Sequence, residues 1–233
     1  MSTTFISHVN SSKYDSWRLL IEAPHLAQGD DTSPKLQVEW LRQHKPANQV
    51  ALLFHPNPVD GGTMDNKVVD TLWRYCRDRG MDVVRYNSRG VGASSGVATA
   101  GEGEFLDAVC VLNWLSEQTD IRTLWLGGFS FGGFLACRLA AYIDVCMPKW
   151  TVERLALIAP SVERHDTSQL RLPMHKSFII YGDNDTLVSP SVMAEFAQAH
   201  AMPSKVLAGV GHFFHGQLPA LKQAILFLDE ALQ

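Results

Sequence analysis

The sequence predicts a mixed α/β fold built on a mostly parallel, doubly wound sheet, and three observations carry that expectation. Short apolar runs alternate with segments of helical periodicity along most of the chain, the pattern of βαβ crossovers. Several runs, such as VALLF at 50–54, are apolar throughout, as expected of strands covered on both faces. Finally, a glycine-rich turn, GGFSFGG at 127–133, joins one such run to a helical segment. At 233 residues without linker, internal repeat or low-complexity tract, residues 1–233 read as a single domain.

Taken in order, Trp17, Leu19 and Ile21, then Leu36, Val38 and Trp40, alternate as an antiparallel N-terminal hairpin around the loop LAQGDDTSP. After strand 50–54 comes a helix over 65–79, with Val69, Leu72, Trp73 and Cys76 on one stripe and Gly80 as its stop. Strand MDVVRY, loop SRGVGASSG and a helix over 102–118 follow, the helix burying Phe105, Val109, Leu112 and Leu115. Strand RTLWLGG leads into a helix over 132–142. Strand RLALIA, strand SFIIYG, helix SPSVMAEFAQAH, short strand KVLAG and a helix over 217–232 complete the chain.

Composition narrows the function classes. With 46% hydrophobic and 19% charged residues the chain reads as soluble and globular, and a net charge of −4 points away from nucleic acid. The start lacks the basic-then-apolar pattern of a signal peptide. No apolar run reaches membrane-spanning length, because Arg138 interrupts the best candidate, FLACRLAAYI. Cys76, Cys110, Cys137 and Cys146 form no CxxC pair and read as reduced thiols of a cytoplasmic protein. Only His212 and His215 are closely spaced among the histidines, and HExxH is absent, so no metal is expected. The phosphate-binding pattern GxxxxGK[ST] is missing, and GVGASSG lacks dinucleotide spacing, so no cofactor is expected either.

The turn around Ser130 is the most informative stretch. A strand that turns abruptly into a helix forces the residue between them to positive φ, and its neighbours two before and two after come close together. Gly128 and Gly132 occupy those two positions, giving the G-x-S-x-G pattern of a nucleophile elbow at the carboxyl edge of the sheet. Such a serine requires a carboxylate and then a histidine, each on a later strand-end loop. Strand SFIIY is followed by GDNDTLVSP, which offers Asp183 and Asp185; KVLAG is followed by VGHFFHG, which offers His212 and His215. An oxyanion hole would take one N–H from Phe131, directly after the serine. In HPNPVDGG, after the first parallel strand, Pro56 and Pro58 have no N–H, which leaves Asn57 as the second donor.

These segments resemble a group of small bacterial α/β-hydrolases often labelled dienelactone-hydrolase-like, with an HPHP…GG(S/T)MDNKVV signature. HPNPVDGGTMDNKVV, YNSRGVGASSG, GFSFGG and GHFFHG carry the resemblance, which runs in order from about residue 50 to the end. It implies the α/β-hydrolase fold and a Ser-Asp-His triad, matched here by Ser130, Asp185 and His212, with Asp183 left as a turn residue. Two positions depart from the group and are expected near the mouth of the site. Asn57 stands for the second histidine of HPHP, and Ser88 for an aromatic before Arg-Gly. Dienelactone hydrolases use a cysteine nucleophile, so Ser130 separates the chain from that activity.

The resulting expectation is a serine hydrolase acting on a small-molecule carboxylic ester through an acyl-enzyme. The alternatives are a hydrolase of thioesters or amides, and a non-catalytic α/β-hydrolase scaffold acting as a binding module. Only ~15 residues, 160–174, connect RLALIA to SFIIYG, too few for a cap of several helices, so a capless site favouring short acyl chains is expected.

Overall fold

The computed structural model describes residues 2–27, 33–173 and 175–232, so most of the loop LAQGDDTSP lies outside the described residues. Its strands are β1 (Thr3–Asn10), β2 (Tyr14–Glu22), β3 (Lys35–Gln43), β4 (Val50–Phe54), β5 (Asp82–Asn87), β6 (Thr123–Phe129), β7 (Thr151–Ile158), β8 (Ser177–Gly182) and β9 (Ser204–Leu207). The helices are α1 (Lys67–Asp78), α2 (Glu102–Gln118), α3 (Phe131–Cys146), α4 (Pro190–Ala199) and α5 (Leu218–Ala231). All nine strands form one sheet in the order β1-β2-β3-β5-β4-β6-β7-β8-β9. From β5 to β9 every pairing is parallel, whereas β1, β2 and β3 run antiparallel and join through β3 to β5.

The expected hairpin is β2–β3, and β1 is an addition the hydrophobic pattern did not disclose. Seven of its eight residues are exposed, so it is held by its ladder with β2 and not by a buried face. Helices α1 and α5 pack together in one layer and α2 and α3 in another, the arrangement right-handed crossovers impose on a doubly wound sheet. Strands β4, β5 and β8 are buried along their whole length, which explains the unbroken apolar run of β4, whereas β5 also buries Asp82, Arg85 and Asn87, each of them hydrogen-bonded.

Two helices depart from the pattern. Helix α2 buries Ala108, Val111, Leu112, Trp114 and Leu115, while Phe105 and Val109 are only partly buried. The true stripe is rotated because Glu104 and Asp107 also point inward, Glu104 accepting from the Thr99 and Gly101 N–H groups and Asp107 from the Arg89 N–H. Helix α3 runs from Phe131 to Cys146, one residue earlier and four later than the pattern suggested. Strand β7 carries the buried Arg154, which donates to Asp229 of α5 at 2.7 Å. The same carboxylate accepts from Tyr75 and Trp125, so one acid ties the last helix to α1, β6 and β7 at the amino end of the sheet.

The opposite, carboxyl end carries the loops that leave the parallel strands. Among the described residues no helix or strand stands between Ile158 and Ser177, so the edge above β6 and β7 has no cap. No helix of the described residues is long and apolar enough to cross a membrane.

The loop leaving β4 is set by His55. The Ser88 backbone N–H donates to its Nε2 at 3.0 Å, so that nitrogen is the acceptor and Nδ1 carries the proton toward the Pro56 carbonyl at 2.7 Å. Burial pushes His55 down to about 4, the bond to Pro56 opposing only in part. In the unfolded chain it takes up a proton near its ordinary 6.5, so folded chains bind fewer protons between those values. Its contribution is therefore complete above about pH 6.5 and is lost as pH falls toward 4, about 3 kcal/mol over the window. Urea unfolding of the wild type and His55→Gln between pH 7 and 4 should show a steeper loss for the wild type. Parallel curves would refute the buried neutral imidazole.

Candidate functional site

Ser130 is the residue between β6 and α3, and it has φ 54° and ψ −119°, a conformation a serine adopts only under constraint. The constraint is steric. A Cβ on Gly128 would land on the Gly132 carbonyl, and a Cβ on Gly132 would land on the Phe54 and His55 carbonyls at the end of β4. The turn is also bonded into β7: the Ser130 N–H donates to Ile158 at 2.9 Å, and the Ser130 carbonyl accepts from Ser161 at 3.0 Å. Ser130 Oγ is thereby presented above the carboxyl edge of the sheet, at the amino end of α3, where the helix dipole favours negative charge.

The later loops bring their residues to it. His212, on the loop between β9 and α5, lies with Nε2 3.0 Å from Ser130 Oγ. Its Nδ1 is 2.7 Å from Asp185 Oδ2, on the loop between β8 and α4. Asp185 Oδ1 accepts from the Leu187 and Val188 N–H groups at 2.9 and 3.0 Å, so both of its oxygens are engaged. Burial pulls the Asp185 carboxyl up, but the His212 and backbone hydrogen bonds outweigh it and hold the acid below its ordinary value. An ionised Asp185 can only accept, so the His212 proton sits on Nδ1 and the Nε2 lone pair faces the Ser130 hydroxyl. Phe129 packs against the His212 ring at 5.1 Å and Phe213 meets it edge-on at 5.2 Å, fixing its plane.

The alternatives fall elsewhere. Asp183 is exposed and accepts from the Gly209 N–H at 2.6 Å, a loop-to-loop bond that does not involve His212. His215 is exposed and lies against the ring of Phe213.

Asn57 and Phe131 line the same cleft as Ser130. The Asn57 side chain is occupied locally, accepting from Val59 N–H and donating to Asp60 at 2.8 Å, which leaves its backbone N–H as the available donor. Among the described residues neither the Asn57 nor the Phe131 N–H donates to a protein acceptor. Ser88 does not stand at the mouth as expected. It is 1% exposed, hydrogen-bonded to His55, and absent from the cleft wall, because the His55 ring draws it beneath the loop.

The cleft has a volume of about 310 Å³. One part of its wall is apolar, with Phe131, Leu187, Val188 and Phe213; another is polar, with Ser161, Arg164 and His165. These last three went unread in the sequence because the β7–β8 connection carries no periodicity or motif; its position after a central strand was the only available signal. Among the described residues no three His, Cys, Asp or Glu side chains gather in a metal-binding arrangement.

Comparison with known proteins agrees with this architecture. Residues 59–174 match the family model described as the alpha/beta hydrolase fold. The chain is similar to XC6422 from Xanthomonas campestris, described as an α/β serine hydrolase without lid. Identity is 31%, with 93% of this chain and 94% of that one covered, and the TM-score is 0.81. An α/β serine hydrolase homologue from Coxiella burnetii is 31% identical, with 97% and 100% of the two chains covered and a TM-score of 0.76. The uncharacterised protein RP471 of Rickettsia prowazekii is 30% identical over 202 residues, 82% of each chain. With an elbow serine at the carboxyl edge of an uncapped, doubly wound sheet and relatives that match it nearly end to end, the chain belongs to the small, lidless α/β-hydrolases.

Proposed function

We propose that the protein is a serine hydrolase of small carboxylic esters, with Ser130 as nucleophile, His212 as general base and acid, and Asp185 as the orienting carboxylate. The observation that carries this reading is the continuous chain of hydrogen bonds Ser130–His212–Asp185, at 3.0 and 2.7 Å. In the first half-reaction Ser130 Oγ bonds to the ester carbonyl carbon as its proton passes to His212 Nε2. The resulting oxyanion accepts from the N–H groups of Phe131 and Asn57. Collapse breaks the bond to the alcohol oxygen, and the alcohol leaves with the proton from His212. Water then attacks the acyl-enzyme, giving its proton to His212, and the acid departs as Ser130 recovers its own. Asp185 holds the imidazole in the productive tautomer and stabilises its charged form without taking the proton.

A fluorophosphonate should label Ser130, as located by peptide mass spectrometry, and Ser130→Ala should lose turnover by a factor on the order of 10⁴ or more while staying folded. Labelling of a different serine would remove the assignment.

Asp185→Asn leaves the His212 ring with the wrong proton arrangement, a change that costs about 10⁴ in kcat where such triads operate. Asp183→Asn touches only the Gly209 contact and should change kcat by a few-fold at most. Steady-state kinetics that rank the two the other way would identify Asp183 as the acid.

A cleft of about 310 Å³ without a cap has little apolar wall beyond Phe131, Leu187, Val188 and Phe213. Each further CH₂ gains about 0.8 kcal/mol only where it can be buried, so acyl chains of about two to four carbons should be preferred. The check is kcat/KM for 4-nitrophenyl acetate, butyrate, octanoate and palmitate below micelle formation. A profile that climbs through palmitate would require a deep acyl tunnel.

A further inference from the structure

The wall of the cleft on the β7 side contains an exposed guanidinium, that of Arg164, with no partner among the described residues. Of the twelve arginines in the sequence, ten have an ion pair, a hydrogen bond or an aromatic face among the described residues. The other two are Arg164 and Arg171, and only Arg164 lines the cleft that holds Ser130. Arg171 lines a separate cavity with Trp150 and Lys176.

The segment carrying Arg164 is firmly placed. Ser161 N–H is bonded to the Ser130 carbonyl at 3.0 Å, and the His165 ring stacks on Phe134 at 4.2 Å with 11° between the planes. The acids on either side are directed elsewhere. Glu163 accepts from the Ser189 N–H at 2.9 Å, and Asp166 accepts from the Ser168 N–H at 2.9 Å. Burial, with the charges of Arg164 and Arg138, lowers His165, so the cation beside it in the cleft is Arg164 itself. Arg138 is spent on Glu102 and on the faces of Phe105 and Phe134.

The other flank has the opposite sign. Asp60 belongs to the loop after β4, and in the sheet β4 and β7 lie on opposite sides of β6, whose end carries Ser130. A negative group would be drawn toward Arg164 and repelled by Asp60, so the cleft has a polarity that orients a charged substrate. We propose that Arg164 is a specificity residue, and that the preferred substrates carry a carboxylate on one arm of the scissile ester. This rests on Ser130 being the nucleophile of the preceding section. A guanidinium matches a carboxylate in two parallel hydrogen bonds, which a neutral ester of the same length cannot supply.

The experiment compares matched esters that differ only in charge. One pair, 4-nitrophenyl hydrogen glutarate and 4-nitrophenyl valerate, puts the charge on the acyl arm. The other, 4-acetoxybenzoate and its methyl ester, puts it on the alcohol arm. For wild type the charged-to-neutral ratio of kcat/KM should be raised in at least one pair, the difference residing in KM and shrinking as salt is added. Arg164→Ala should lower that ratio about fivefold, the size expected of a partly exposed charge pair, and Arg164→Lys should restore part of it. Arg171→Ala should leave it alone, and thermal melting establishes that each variant is folded. Ratios that Arg164→Ala leaves unmoved in both pairs would overturn the proposal. If the wild type turns over none of the four esters, the hydrolase reading fails separately. The inference is then decided by equilibrium dialysis of the same compounds against Ser130→Ala and Ser130→Ala/Arg164→Ala. A charged ester bound about fivefold less tightly by the double variant supports it; equal binding refutes it.

Discussion

The close approach of three backbones around Ser130 is the constraint on which the rest of the site depends. Gly132 lies against the carbonyls at the end of β4, and Gly128 lies against Gly132, so β4, β6 and the first turn of α3 meet without room for a side chain. That crowding holds Ser130 at a positive φ, a conformation that costs of order 1–3 kcal/mol outside glycine. The cost is met by the surroundings: the bonds to Ile158 and Ser161 continue the sheet register through the strained residue, and the flanking Phe129 and Phe131 are buried. A turn determined from all sides keeps the hydroxyl at one position, which is what a 3.0 Å contact with a loop 82 residues away in sequence requires.

The loop after β4 is organised by a second set of contacts, and these give the long signature a physical meaning. His55 accepts from Ser88, and Met64 N–H donates to Asn87, so the loop that leaves β4 is pinned near both of its ends to the end of β5. Asn66 then caps α1 by accepting from the Val68 N–H at 2.9 Å. Between these anchors Asn57 and Asp60 close a small turn on themselves at the wall of the cleft. Further out, Arg85 joins Glu39 of β3 to the Met64 carbonyl, so even the antiparallel extension contributes to holding this loop.

The molecule also separates its polar interior by purpose. At the amino end of the sheet the buried group formed by Arg154, Asp229, Tyr75 and Trp125 is packed among helices and ties α5 in place. At the carboxyl end His212 reaches the wall of a cleft, with Asp185 buried behind it. Both groups are partnered, as the cost of desolvation demands, and each borders a cavity, but only the second places a histidine nitrogen against a serine hydroxyl on the cavity wall.

The order of the main strands and helices and the elbow were legible in local sequence, because each rests on short-range physics; the choice of Asp185 and His212 over Asp183 and His215 came from the family resemblance instead. Period and apolar runs report burial, and two glycines spaced about one serine report a turn that admits no Cβ. Tertiary structure alone decided the rest. Strand β1 exposes most of its side chains, so its pairing partner and not its own pattern makes it a strand. The stripe of α2 is rotated because Asp107 turns inward to the buried N–H of Arg89 from the loop after β5, which no helical wheel can anticipate, while Glu104 turns inward to cap the helix's own first turn. Ser88 is hidden and Arg164 displayed for the same reason: neither residue's exposure is a property of its neighbours in sequence. It follows from the ring of His55 in one case and from the stacked, backbone-bonded loop after β7 in the other, contacts that exist only once the sheet has brought those loops to one edge.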